Sequence, residues 1–483
     1  MTTRPALAVT VVLLGSFLII LDSAMVTVAL PAIAEDLDVE HGIEWMVTAY
    51  LLALGVAQTT TGWLADRFGQ KQVFLAALVG FAAMAVVVTL APSFPTIVAA
   101  RVAQGLCGGL VIPLASSLAF GLFPEGRRGA AVGMTGTVVM LAPSIGPLLS
   151  GAVVTGSGWR WLIALDMLAA GVAAVGLRAL PEVAHRARRA FDGFGLVLVA
   201  GGLVAFLLAS GQTDQWGFPT VLVVTAAGAV LLAGFVRRSL RHPSPLLDLS
   251  VYAVPAFSLS MGVIATVAVA QFSRTVFIPL QLQTLRGMSA LGTGAVLTPA
   301  AVAGAVGMPL AGRWVDRAGS RRPMLVGLSV IAASALLLGN LELDTPVWLL
   351  AAVLAGNGVG IVLTTMPAML MGLGSVPATL VPQASALRSM TREIAGALGI
   401  AVLASIIAAP PETELEDVAA GSALLDDAQT AYNRGFLASC ALALLGLFLA
   451  TRLPRQAAGR VDVGAGHSPG PVAKSRPNGQ RVD

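Results

Sequence analysis

Long apolar segments separated by short polar connectors recur along the chain. A helix needs about 20 apolar residues to cross a bilayer core, and fourteen segments approach or exceed that length before a polar tail begins near Leu453. The pattern predicts an all-α polytopic membrane protein with 14 transmembrane helices. The predicted spans are 6–34, 44–64, 73–91, 95–120, 129–155, 159–180, 193–210, 219–236, 256–281, 289–312, 323–339, 347–371, 384–409 and 433–451.

Composition supports this class of protein. Of the 483 residues, 56% are hydrophobic and 11% are charged, and the mean hydropathy is +0.85. Soluble domains carry about 25% charged residues, so we predict no large soluble domain. Cys107 and Cys440 lie in apolar segments and predict no disulfide. The four histidines lie in connectors or the tail, so we predict no metal site.

The polar connectors alternate between basic and acidic ones. By the positive-inside rule the basic connectors face the cytoplasm, so we predict that both termini are cytoplasmic. The net charge of +4 then reflects membrane topology, and we expect the lipid bilayer as a partner and no nucleic acid. The basic connectors contain Arg67, Lys71, Arg127, Arg128, Arg186, Arg188, Arg189, Arg237, Arg238, Arg241, Arg313, Arg317, Arg321 and Arg322.

A ten-residue pattern occurs twice, as GWLADRFGQK at 62–71 and as GRWVDRAGSR at 312–321. Each copy follows the second of six spans, so we predict two six-helix halves with two further helices between them. Parallel repeats of this kind build many secondary transporters, which bind substrate between the halves. The predicted parts are the N-terminal half 1–180, the linker helices with flanking basic loops 181–250, the C-terminal half 251–452 and a disordered cytoplasmic tail 453–483.

The repeated pattern contains residues suited to a contact between helices. Gly62 and Asp66 share a helix face, where glycine allows a neighbouring helix to approach and aspartate can accept hydrogen bonds from a helix N-terminus. We predict that each copy gates the cytoplasmic side; the alternative is a basic loop that only sets topology. The gating positions are Gly62, Asp66, Arg67, Gly69, Lys71, Gly312, Asp316, Arg317, Gly319 and Arg321.

Ionisable residues inside the spans are candidates for coupling, because charges at membrane depth are costly and tend to mark ion or substrate pathways. Asp22 in the first span and Arg101 in the fourth both fall toward the outer half, so the two can meet. We predict that Asp22 titrates, with proton and cationic substrate competing for it. The alternative is a static Asp22–Arg101 pair that joins two helices.

Two further in-span charges keep several interpretations open. Asp166 in the sixth span is a second proton or cation site, or an interfacial carboxylate near the outer surface. Arg274 in the ninth span is a counter-ion to one of the aspartates, a contact for an anionic part of a substrate, or a side chain bound to backbone carbonyls.

The fifth span is rich in glycine and proline, which make a poor helix in water. In a membrane bundle these residues allow close packing and a kink. We predict that the span takes part in gating; a packing helix without that role is the alternative. The residues concerned are Pro143, Gly146, Pro147 and Gly151.

These motifs together resemble the major facilitator superfamily. The repeated pattern is similar to the family's loop motif between its second and third helices, and fourteen spans with two linker helices resemble its 14-helix drug:H+ antiporter branch. The resemblance covers residues 6–451. Further matches are LDSAMVTVALP at 21–31, RVAQGLCGG from Arg101 and APSIGPLLSG at 142–151, in which Ala24, Thr27, Cys107, Ala142 and Ser150 replace the usual residues.

The resemblance implies a proton-coupled secondary transporter that exports amphipathic organic compounds such as antibiotics or antiseptics by alternating access. Its partners would be a small-molecule substrate and protons, and it would act as a monomer in the bacterial inner membrane. The same motifs would serve an exporter of one endogenous metabolite, siderophore or amino acid. A non-transporting membrane scaffold or sensor is the third class. We expect no enzyme and no cofactor, since no G-x-x-x-x-G-K-[ST] loop or catalytic constellation occurs.

Overall fold

The computed structural model describes residues 5–39, 42–43, 45–123, 128–181, 190–211, 218–288, 290–342, 344–407 and 422–454, and the chain in these ranges is helical with short connectors. The predicted tail from residue 455 onward, Arg127 and the basic connector at 186–189 lie outside the described residues. The helices are α1 (Pro5–Asp36), α2 (Trp45–Phe68), α3 (Gln70–Leu90), α4 (Phe94–Leu122), α5 (Arg128–Ser157), α6 (Trp159–Ala164), α7 (Leu168–Ala179), α8 (Gly193–Gly211), α9 (Phe218–Ser239), α10 (Pro255–Thr284), α11 (Ala290–Ala318), α12 (Arg321–Leu338), α13 (Val347–Gly374), α14 (Val381–Ile407) and α15 (Ser422–Thr451).

Nine helices in the described part of the chain are long and apolar enough to cross a membrane, judged by length and composition. Large apolar side chains also point outward, as lipid-facing residues do. On α9, for example, Leu222, Val223 and Val230 are 57%, 67% and 71% exposed. The protein is therefore a multi-pass membrane protein.

The sixth predicted span, 159–180, corresponds to a candidate membrane span at Trp159–Ala179, and the structure adds a local feature inside it. The span consists of α6, a 3-10 turn at Leu165–Met167, and α7. The turn carries Asp166, whose carboxylate accepts a hydrogen bond from α4. Apolar spacing could not predict this break, because the stretch contains no proline or glycine at that point.

The same helix pairs pack together in the two repeated parts of the chain. In the first part, α2 and α3 both pack on α4, and α1 packs on α5. In the second part, α11 and α12 both pack on α13, and α10 packs on α14. The sequence repeat therefore has a counterpart in the packing of the helices.

Glycines set the close approach of helices in both parts. On α4, a Cβ atom added at Gly105 or Gly109 would overlap a backbone carbonyl of α2, that of Tyr50 or Leu54. On α13, a Cβ atom at Gly358 would overlap the carbonyl of Ala300 in α11. Small residues at such crossings let helix backbones come into contact inside a membrane.

Replacing Gly105 with alanine is expected to lower the stability of the protein by about 1–3 kcal/mol, the usual cost of overpacking a tight contact. The added methyl group must push α4 away from α2. Thermal unfolding of detergent-purified protein, followed by the loss of the monodisperse peak in size-exclusion chromatography, measures the effect. Gly121→Ala on the same helix is the control, because a Cβ atom there meets nothing within 4 Å. Equal unfolding temperatures for the two variants would contradict the role assigned to Gly105.

The two linker helices form a hairpin beside the seam between the halves. Helix α8 packs on α9 and also contacts α2 and α14. An ion pair at 2.8 Å joins Asp192, just before α8, to Arg238 near the end of α9. Phe191 stacks on Trp63 of α2 at 4.7 Å between ring centroids. The hairpin is therefore attached to the helix that carries the first copy of the repeated motif.

Candidate functional site

An ion pair lies in the interior of the N-terminal half. Nη1 of Arg101, on α4, donates to both carboxylate oxygens of Asp22, on α1, at 2.8 and 3.0 Å. Both side chains are 0% exposed. The structure thus brings together the two in-span charges that the sequence analysis placed at similar depth.

Arg101 is held by further contacts from α2 and α4. Its Nε donates to the carbonyl of Met46 at 3.3 Å, and its guanidinium lies over the ring of Tyr50 at 4.3 Å from the centroid. Nη1 also donates to Oε1 of Gln104 at 2.8 Å. Guanidinium stacking on an aromatic face is favourable when the pair is desolvated, so the arginine is fixed in one orientation.

Asp166 joins the same cluster through Gln104. Nε2 of Gln104 donates to Oδ2 of Asp166 at 3.0 Å, and Asp166 is 1% exposed. We call the four side chains Asp22, Arg101, Gln104 and Asp166 the buried network. Sequence reasoning named three of them but missed Gln104, although its position three residues after Arg101 places both on one helix face.

Helix α5 packs directly beside the buried network. A Cβ atom at Gly146 would lie 2.6 Å from Cβ of Ala24 on α1, and Ser150 donates to the carbonyl of Met25 at 2.9 Å. The helix continues through positions 143 and 147, the two prolines. Gly151, in contrast, has open space where a Cβ atom would be. The glycine that matters for contact with α1 is therefore Gly146.

Arg274 is not part of this network. It lies on α10 in the C-terminal half, and its buried Nε has no hydrogen-bond partner among the described residues. The carboxylate of Asp22 is bound by Arg101, and that of Asp166 by Gln104. Of the interpretations left open by the sequence, the structure does not place Arg274 as a counter-ion to either aspartate.

The first copy of the repeated motif forms a contact between the two halves. Nε2 of Gln383, the third residue of α14, donates to Oδ2 of Asp66 at 2.7 Å, and both residues are buried. A Cβ atom at Gly62 would lie 2.7 Å from Cγ of Gln383. We call this contact between Gly62, Asp66 and Gln383 the latch.

Other bonds between the halves lie near the latch. Ser385 on α14 donates to the carbonyl of Pro113 on α4 at 3.1 Å, and Nη2 of Arg388 donates to Oγ of Ser116 at 3.4 Å. Both α4 residues lie in the last third of that helix, toward the basic connector. The halves therefore touch at the side that the charge pattern assigns to the cytoplasm.

The last residue of each motif copy binds the end of another helix. Nζ of Lys71 donates to the carbonyl of Leu177 near the end of α7, at 2.8 Å. Nη2 of Arg321 donates to the carbonyl of Thr451 at the end of α15, at 2.6 Å. A cation satisfies free carbonyls and the negative end of the helix dipole at a C-terminus, so each copy is tied to the last helix of its own half.

The remaining motif positions have simpler roles. Gly69 and Gly319 have φ values of +90° and +75°, which the tight turn after each helix requires. Arg67 lies over the ring of Trp63 at 5.5 Å. In the second copy Gly312 is buried, Asp316 is half-buried and Arg317 is exposed.

Within the described residues, no group of three histidine, cysteine, aspartate or glutamate side chains is placed to hold a metal ion.

Comparisons with known proteins agree with this architecture. The family model described as Major Facilitator Superfamily matches residues 12–400. The chain is 33% identical over 417 residues to the tetracenomycin C resistance and export protein of Streptomyces glaucescens, covering 84% of this chain and 76% of that protein. It is 28% identical over 457 residues to the lincomycin resistance protein LmrB of Listeria monocytogenes, covering 92% and 97%. The crystal structure of the human organic anion transporter MFSD10 (TETRAN) shares the fold, with a TM-score of 0.64 at 18% identity, covering 92% of this chain and 99% of that one.

Proposed function

Because the chain belongs to the Major Facilitator Superfamily, and is therefore a membrane transporter and not an enzyme, we propose that it is a proton-coupled antiporter that exports amphipathic organic compounds. It works as a monomer in the cytoplasmic membrane of a bacterium, with fourteen transmembrane helices and both termini in the cytoplasm. Protons enter down their gradient while the cargo leaves. The two halves expose the cargo site to each side in turn.

The buried network is the observation that carries this proposal. Asp22 and Arg101 are 0% exposed, and Asp166 is 1% exposed. A buried ion pair is not an efficient way to stabilise a fold, because desolvation of the charges offsets their attraction. Two carboxylates that share one cation at membrane depth are, in contrast, well suited to bind and release a proton.

The contact between the halves supports alternating access. The latch and the neighbouring bonds close the space between the halves at the cytoplasmic side. Cargo from the cytoplasm can enter only if these bonds break. The arrangement corresponds to one end state of the cycle, and the latch stabilises that state.

The relatives supply the class of cargo. The name of one records resistance to lincomycin and the name of another records resistance to and export of tetracenomycin C, and we propose antibiotics or antiseptics as the cargo of this chain.

A dedicated exporter of one endogenous metabolite is the second candidate. The relative with 33% identity is named as a protein that exports tetracenomycin C in a Streptomyces species. Comparing the resistance profile and the culture medium of a deletion strain with those of its parent separates the two. A multidrug exporter broadens susceptibility on deletion, whereas a dedicated exporter changes the release of one compound.

Purified protein in lipid vesicles is expected to move ethidium, a quaternary-ammonium antiseptic or lincomycin when a pH gradient is imposed. The double variant Asp22→Asn/Asp166→Asn is expected to reduce this transport to the level of empty vesicles, because the buried network can no longer take up a proton. The assay follows cargo and vesicle pH together.

The matched control is Asp36→Asn. Asp36 lies at the end of α1, the helix of Asp22, but its side chain is 45% exposed and paired with Arg160. This variant should transport as the wild type does. If the folded double variant still transports cargo at the wild-type rate when a pH gradient is imposed, the buried network does not couple transport to protons.

A further inference from the structure

Two polar atoms of the buried network have no hydrogen-bond partner among the described residues. They are Oδ1 of Asp166 and Nη2 of Arg101. One is an acceptor on a carboxylate and the other is a donor on a guanidinium, and both residues are nearly or fully buried. Buried polar groups almost always find partners, so two complementary unpaired atoms in one network suggest a pairing that forms in another state.

The two carboxylates of the network are compensated differently. Both oxygens of Asp22 accept hydrogen bonds from Arg101, at 2.8 and 3.0 Å. Asp166 accepts one hydrogen bond, at 3.0 Å, from the uncharged amide of Gln104. The positive charge of Arg101 is thus matched by Asp22, and an ionised Asp166 would be a second negative charge without a cation of its own.

Among the described residues, the helices around Asp166 bring no other cation to it. Helix α1 contributes Asp22, and α2 contributes the phenol of Tyr50, whose hydroxyl donates to the carbonyl of Ile19 at 3.3 Å. The remaining charged residues on the described helices that pack against the Asp166 turn lie at helix ends and are bound elsewhere or exposed. They are Lys71 on α3, which binds Leu177, Arg160 on α6, which binds Asp36, and Arg178 on α7, which is exposed.

We propose that the proton carried in each cycle binds Asp166 at Oδ1, that Asp22 remains the fixed counter-ion of Arg101, and that Gln104 is the positioning residue that links the two. This inference rests on the proposed function, which requires only that one of the two carboxylates takes the proton. It assigns the proton to Asp166, the second candidate from the sequence, and a fixed role to Asp22, which the sequence predicts to titrate.

The coupling step follows from the two unpaired atoms. When Asp166 releases its proton to water, its carboxylate becomes a second acceptor for the guanidinium, and Nη2 of Arg101 is the donor that is free to bind it. Gln104 already holds both residues, at 2.8 and 3.0 Å. Arg101 on α4 is then shared between α1 and the turn that carries Asp166, which changes the packing of these elements. One proton binds and one leaves in each cycle, and no other group changes its proton count.

Infrared difference spectroscopy of the purified full-length protein tests the assignment without any cargo. The wild type is expected to show the C=O stretch of a protonated carboxylic acid, which disappears as the pH is raised. Asp166→Asn should lack this band, and the charge-neutral variant Asp22→Asn/Arg101→Met, which leaves no unpaired guanidinium to ionise Asp166, should keep it. If Asp166→Asn does not fold, Asp166→Ala takes its place, and loss of the band in folded Asp22→Asn/Arg101→Met alone decides against the proposal.

Transport by vesicles adds a functional readout with ethidium as the cargo. Asp166→Asn is expected to lose pH-gradient-driven accumulation by at least about tenfold, while ethidium exchange without a gradient stays within about twofold of the wild type. Asparagine mimics the protonated acid, so the carrier still moves but no longer delivers protons. The assignment is overturned if Asp166→Asn still accumulates ethidium when a pH gradient is imposed while Asp22→Asn only exchanges ethidium without accumulating it.

Gln104→Leu tests the positioning role, because leucine keeps a similar volume without the amide. The midpoint of the infrared titration is expected to shift, since the carboxylate loses its hydrogen-bond donor. Gln281→Leu is the matched control and should leave the midpoint in place, because Gln281 is a buried amide on α10 that binds Gln429 at 3.0 Å, outside the buried network and the latch. An unchanged midpoint in Gln104→Leu would remove Gln104 from the mechanism. If the wild type shows no pH-driven export, the proposed function is refuted. The infrared assignment of the protonated group to Asp166 is not affected by that outcome.

Discussion

Replacing Asp66 with alanine is expected to increase the population in which the halves are separated at the latch by about 10- to 100-fold. The carboxylate of Asp66 accepts a hydrogen bond from Gln383 at 2.7 Å, and this bond exists only while the halves touch. A hydrogen bond to a charged group contributes about 1.5–3 kcal/mol, and 1.4 kcal/mol is a tenfold change in an equilibrium. The fold within each half should be unaffected.

The accessibility of position 385 measures this opening. Ser385 is 0% exposed between the halves, so Ser385→Cys reacts with a membrane-impermeant maleimide only when they separate. The background carries Cys107→Ala and Cys440→Ala, because these are the two native cysteines. The rate of modification, measured in inside-out vesicles, should rise in Asp66→Ala.

A double-mutant cycle supplies the control for the latch. Gln383→Leu should raise the rate of modification by a similar factor, and adding it to Asp66→Ala should raise the rate little further, since both changes remove the same bond. Additive effects, or a rate that stays at the wild-type value in Asp66→Ala, would show that the latch does not hold the halves together.

Replacing Arg101 with methionine is expected to destabilise the protein by about 3–5 kcal/mol, the cost of leaving a buried charge without its partner. Both oxygens of Asp22 accept hydrogen bonds from Arg101, and both side chains are 0% exposed. The carboxylate would lose its donor inside a dry part of the helix bundle. Thermal unfolding in detergent and the yield of monodisperse protein measure the loss.

The paired variant Asp22→Asn/Arg101→Met separates stability from transport. Removing both charges should restore most of the lost stability, because no unpaired charge remains. Transport driven by a pH gradient should stay impaired, because Arg101 is the group that responds to the charge of Asp166. If Arg101→Met alone unfolds at the wild-type temperature, the ion pair is not the structural centre of the N-terminal half.

Much of the architecture could be predicted from the sequence, because a helix that crosses the bilayer needs about 20 consecutive apolar residues. Every predicted span overlaps a helix of the structure, and the family match confirms the superfamily that the motifs predicted. A feature that was not predicted is the 3-10 turn at Asp166 inside the sixth span. Its position depends on a side-chain contact with another helix, which hydropathy does not report.

The candidate site could be predicted only in part. Asp22, Arg101 and Asp166 were identified because a charge in an apolar span is rare and costly. Gln104 was not predicted as a site residue, because an uncharged amide is a common residue in a membrane helix. Arg274 carries the same signal as the aspartates, yet its buried Nε has no hydrogen-bond partner among the described residues.

The sequence by itself determined the membrane-spanning class, the two-fold repeat, the family and the in-span charges, since hydropathy, spacing and motif identity are properties of neighbouring residues. Only the tertiary structure decided that Gln104 joins Arg101 to Asp166 and that Asp66 meets Gln383, 317 residues later in the chain. Such pairings depend on the rotation and depth of each helix. Both are set by contacts such as that of Gly105 with the carbonyl of Tyr50, which exist only after the helices have packed.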